Sequence, residues 1–138
     1  MSWDIFIMDL PADARSVSDI PEDFKPNSLG QRSHLIRSIL QVAPTADFSD
    51  PSWGMLETDS FSIEISMGDN PIVDSIALHV RGGDGAAGAV ADIITHLELR
   101  AVDSSTGDLF DPATVVDSLR AWHAFRDRAI RQDGRRIR

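Results

Sequence analysis

Two runs of strict alternation, Phe61-Ser62-Ile63-Glu64-Ile65-Ser66-Met67 and Ser75-Ile76-Ala77-Leu78-His79-Val80-Arg81, limit the architectures open to this chain. Successive side chains of a strand point to opposite faces, so period-two alternation means one face on a core and one in water. Strands of a parallel sheet are covered on both faces and read instead as continuous apolar runs. The cluster Gly68-Asp69-Asn70-Pro71 between the two runs has turn composition. An antiparallel hairpin is therefore expected, with residue 67 opposite 72, so that partner numbers sum to 139. That register sets Ser60 against His79, Thr58 against Arg81 and Glu64 against Ser75 on the wet face.

Directly after the second run, Gly83-Asp84-Gly85-Ala86-Ala87-Gly88 has the spacing G-x-G-x-x-G and opens a helix-like stretch, Ala89 to Leu97. In a dinucleotide-binding fold these glycines let backbone approach a pyrophosphate at a helix start, and Asp103, 20 residues beyond Gly83, would hold the ribose. That fold needs further βα units, and only 35 residues follow Asp103. The plainer reading is structural. Gly82 and Gly83 release the chain from the strand, Gly83 at positive φ; Asp84 caps the helix; Gly85 and Gly88 allow close packing on the sheet. On this reading Gly83→Ala is costly and Gly85→Ala neutral.

Trp3 to Leu10 is β-prone and nearly apolar on both faces, which suits a central strand, with Asp4 and Asp9 on opposite faces. Residues 11–27, with Pro11, Pro21 and Pro26 among acidic residues, read as a long loop. A capping box, Ser28-x-x-Gln31, predicts the start of helix one, with Leu35, Ile36, Ile39, Leu40 and Ala43 inward and Pro44 as its stop. Met55 to Thr58 suggests a short strand, and helix two is expected from Asp84 to Leu97. Ser104-Ser105-Thr106-Gly107 joins two further strand-like runs as a hairpin with glycine at positive φ. Asp111-Pro112 is the strongest helix start in the chain, and Val115, Val116, Leu119, Trp122 and Ile130 mark one side of helix three. The expected fold is α+β: an antiparallel or mixed sheet of about five strands with helices packed on one face, in the order β-α-β-β-α-β-β-α. A single domain over residues 1–133 and a frayed basic tail at 134–138 complete that expectation.

The chemistry of the chain is sparse. With no cysteine, thiolate metal sites, thiol catalysis and disulfides are excluded. Histidines 34, 79, 96 and 123 fall on four different predicted elements without metal-ligand spacing, so no metal and no cofactor are expected. No serine-nucleophile signature is present, and an enzyme is not the favoured class. Charge is more informative. Residues 1–119 hold 6 basic and 20 acidic groups, a net of −14, whereas residues 120–138 hold seven arginines against Asp127 and Asp133, a net of +5. An acidic body disfavours nucleic acid and anionic membranes and favours a basic protein partner. The opening residues lack a basic start and an apolar stretch, which points to a cytoplasmic protein.

Two functional readings follow. In the favoured one the chain is a non-enzymatic binding or regulatory domain, immunity- or adaptor-like, whose acidic surface meets a basic partner; Trp53 is a candidate anchor, against the plainer view that Phe48 and Trp53 both close the core. In the alternative it binds a small anion or a nucleotide phosphate, with or without catalysis, at the turn 81–88. Glu64, His79, Arg81, Gly82, Gly83, Asp84 and Gly85 are the candidate residues there.

Ser2-Trp3-Asp4-Ile5-Phe6, Asp50-Pro51-Ser52-Trp53-Gly54 and His79-Val80-Arg81-Gly82-Gly83 resemble segments of a family of small uncharacterised bacterial proteins, along most of the chain. The resemblance implies bacterial origin and a single-domain architecture, and it brings no activity, ligand or catalytic residue.

Overall fold

The computed structural model describes residues 2–83 and 85–110. The cap expected at Asp84, helix three and the basic tail lie outside the described residues. In chain order the elements are β1 (Trp3–Met8), a 3-10 turn (Val17–Asp19), β2 (Gly30–Gln31), α1 (Arg32–Val42), β3 (Asp47–Asp50), β4 (Trp53–Glu57), β5 (Phe61–Ser66), β6 (Ile72–Val73), β7 (Ile76–Gly82), α2 (Ala86–Leu97), β8 (Arg100–Asp103) and β9 (Asp108–Leu109).

The fold is α+β. Seven strands form one antiparallel sheet in the order β3-β4-β5-β7-β1-β8-β9, and β2 and β6 form a separate two-stranded ladder. Alternation selects the packed face: Ile63 and Ile65 of β5, Ile76, Leu78 and Val80 of β7, and Trp3, Ile5 and Ile7 of β1 are all buried. Each such side chain contributes on the order of 2 kcal/mol over exposure. Leu35 and Ile39 of α1 and Val90, Ile93 and Ile94 of α2 join the same cluster, so both described helices cover this one face. The loop after β1 is anchored to the sheet, because the Arg100 guanidinium donates to the carbonyls of Pro11 and Ala14.

Three expectations need correction. The main sheet has seven strands rather than about five, because Asp47–Asp50 and Trp53–Glu57 extend it as β3 and β4, and the element order is correspondingly richer. The expected capping box at Ser28 does not start α1: Gly30 and Gln31 pair with Val73 and Ile72, and Gln31 takes the cap position with no side-chain capping bond. That same pairing changes the hairpin. Residues 67–75 are a long excursion carrying β6, not a tight turn, so β5 and β7 meet with Glu64 opposite His79 and Ser62 opposite Arg81. Partner numbers thus sum to 143 rather than 139. The shift is even, so every side chain keeps its face.

Phe48 packs on the core as expected, lying over Gly54, where any Cβ would collide with its ring. Trp53 does not; it is 48% exposed. Gly107 closes the β8–β9 turn at φ 73. No helix among the described residues is long and apolar enough to cross a membrane.

Candidate functional site on the open sheet face

Both described helices lie on one side of the sheet, and the opposite face carries the side chains that alternate outward. Registration arranges them in rows. The first row is polar: Glu64 of β5, His79 of β7 and Asp4 of β1 stand side by side across three adjacent strands. His79 donates from Nδ1 to Asp4 Oδ1 at 2.9 Å, since a carboxylate can only accept, and Ser2 Oγ donates to the same oxygen at 2.6 Å. Arg81 Nη1 donates to Glu64 Oε1 at 3.1 Å. His79, Arg81 and Glu64 share one face, which alternation indicated, but the pairing of Glu64 with His79 differs from the expected register, and Asp4 is an added member. Nε2 of His79 has no partner among the described residues. Half-exposed pairs of this kind contribute at most about 1 kcal/mol each. Among the described residues no hydroxyl is bonded to the imidazole.

The next row is apolar. Trp53, Ser66, Ala77, Phe6, Val102 and Leu109 pair successively from β4 to β9, and all but one are hydrophobic. Phe6, at 38% exposure, and Trp53 are the large side chains on it. At the Trp53 end the edge strand is acidic, with Asp50 paired to Trp53 and Asp47 to Met55. The Ser49 hydroxyl, then its amide, hold the Asp47 carboxyl below the usual carboxylate range. Ser52 does the same for Asp50, with a smaller contribution from Arg32. Both carboxylates therefore stay charged well below neutral pH. Phe6 and Asp4 were not among the residues singled out from sequence. The available signal was that the first strand is apolar on both faces in a sheet whose other strands have one wet face.

The glycine-rich turn departs from its sequence reading. Gly82 (φ 104) and Gly85 (φ 91) have positive φ, and Gly83 does not. Gly85 takes the cap position of α2 in a left-handed conformation, and a Cβ on it would stand 3.3 Å from Phe61 Cε1. Gly85→Ala should accordingly cost about 1 kcal/mol rather than nothing, which a shift of the urea midpoint at unchanged slope would show. Among the described residues no atom lies within 4 Å of where a Cβ on Gly88 would be, so close packing against them does not require glycine there. The Gly83 amide donates to Ser60 O at 2.9 Å. Asp103 is buried and accepts from Trp3 Nε1 at 3.0 Å, which removes it from any ribose-binding role. His34 and His96 are exposed on the helices, and His96 Nε2 meets Gln41 Oε1 at 2.7 Å.

No group of three or more potential metal ligands occurs among the described residues. Comparison with family models, curated proteins and solved structures finds no match to this chain.

Proposed function

We propose that this protein is a non-enzymatic binding or regulatory domain, immunity- or adaptor-like, that takes a basic protein partner on the open face of its sheet. The observation that carries this reading is Trp53, half exposed at the end of an apolar row and bordered by Asp47 and Asp50. A large aromatic on a rigid strand is an energetically strong anchor because it loses little freedom on binding. The carboxylates beside it favour a partner segment with an apolar stripe and flanking Lys or Arg. Trp53→Ala should leave stability within about 0.5 kcal/mol, since the side chain is largely solvated. A protein captured from cell extract at low salt should be released at high salt and should fail to bind the Trp53→Ala variant. Capture that is indifferent to both changes rules the reading out.

The anion-binding alternative has less support. Arg81 is engaged by Glu64, and the Gly83 amide by Ser60. A thermal-shift series with phosphate, sulfate and nucleotides tests it directly, because a ligand at 100 times its Kd stabilises by about 2.7 kcal/mol.

A further inference from the structure

A cavity of about 460 Å³ opens beside the first turn of α1, walled by Ile36, Pro51, Pro71 and Ile72. Its remaining lining comes from Gln31, Arg32 and Ser33. The volume lies in the range of small-molecule sites. Ile72 is 44% exposed, so the cavity presents apolar surface to water. None of the lining residues is acidic, in a chain with 22 acidic groups. Among the described lining residues Arg32 is the single charge. Its Nη1 donates to Gly68 O at 2.9 Å, which holds the side chain in place. The other guanidinium N–H groups, the Gln31 amide and the Ser33 hydroxyl have no side-chain hydrogen-bond partner among the described residues.

We propose that this cavity binds a short aliphatic carboxylate. The guanidinium takes the carboxylate through charge-assisted hydrogen bonds, with the Ser33 hydroxyl as a second donor, and the isoleucines and prolines cover the hydrocarbon. An ammonium ligand would face Arg32 with like charge, and a neutral amide would lose the ion pair with the guanidinium. Asp50, next to Pro51, is held mainly by Ser52 and feels the Arg32 charge as the smallest influence on its carboxyl. The site uses neither Trp53, Phe6, His79 nor Arg81. Asp50 borders both sites, but Arg32→Met and Ile72→Ser test this one separately from the partner-binding reading.

Titration of the full-length, 15N-labelled protein with hexanoate tests the proposal. Saturable shifts are expected at the amides of residues 31–36 and 72, with none from hexanamide or hexylamine. Arg32→Met should weaken binding by about tenfold or more. Asp50→Asn should tighten it by roughly two- to threefold, because a nearby negative charge that repels the carboxylate is removed. Ile72→Ser, at an exposed position that does not endanger the fold, should weaken it by about fivefold through lost apolar contact. Equal responses to hexanoate and hexanamide, shifts centred on the Trp53 indole, or full affinity in both Arg32→Met and Ile72→Ser would each overturn the assignment. So would a leucine-terminated peptide that binds this site far more tightly than hexanoate, since the ligand would then be a chain terminus.

Discussion

Gly82→Ala is expected to destabilise the protein by about 3 to 4 kcal/mol, the combined size of positive-φ strain and overpacking. Gly82 has φ 104, and a Cβ there would lie 2.5 Å from Ser60 O and 2.6 Å from Phe61 Cα. Both obstacles are backbone atoms, of Ser60 just before β5 and of Phe61 at its start, so neither can rotate away. The strand pairing of Phe61 with Gly82 would have to open. Gly83→Ala is the internal control. Among the described residues its Cβ would approach nothing closer than Ser60 O at 3.9 Å, and its φ is not positive, so a change within about 0.5 kcal/mol is expected. Sequence alone assigned the strained position to Gly83; the structure moves it one residue back. Urea melts of the two variants decide the matter, and equal midpoints would show this account of the turn to be wrong.

Trp3→Ala should cost about 4 kcal/mol, as large-to-small changes of fully buried aromatics do. The ring is entirely inaccessible, packs on Phe110 at a centroid distance of 6.0 Å, and donates from Nε1 to Asp103 Oδ2 at 3.0 Å. Trp3→Phe separates the two effects. It retains most of the apolar volume and leaves Oδ2 without that donor, while Oδ1 keeps the Ser105 amide and hydroxyl at 2.9 and 2.6 Å. A loss of about 1 to 3 kcal/mol is expected from the unsatisfied buried oxygen, on top of the smaller ring. Combining Trp3→Phe with Asp103→Ala should then cost less than the sum of the single changes, because the two groups share one bond. Strict additivity in that cycle would mean the bond contributes nothing.

The open-face site was partly legible. His79, Arg81 and Glu64 could be placed on one wet face from alternation, because that property depends only on the parity of each residue within its own strand. Their exact neighbours could not. Glu64 meets His79 rather than Ser75 because Ile72 and Val73 leave the hairpin to pair with Gly30 and Gln31, a contact some forty residues away in sequence. Asp4 joins the cluster only because β1 inserts between β7 and β8. Nothing local to Asp4 signals that.

Local chemistry determined the class of the fold: period two in β5 and β7, the apolar stripe of α1, and glycine at the β8–β9 turn each follow from interactions within a few residues. The acidic body and the lack of thiol or metal-ligand patterns are likewise properties of the chain itself. Tertiary structure decided strand order, register, the extension of the sheet through Asp47–Asp50, which glycine bears positive φ, and the exposure of Trp53. These depend on which distant segments compete for the same backbone hydrogen bonds and the same apolar surface. The outcome is settled by the summed free energy of the whole sheet, to which any one strand contributes only its share.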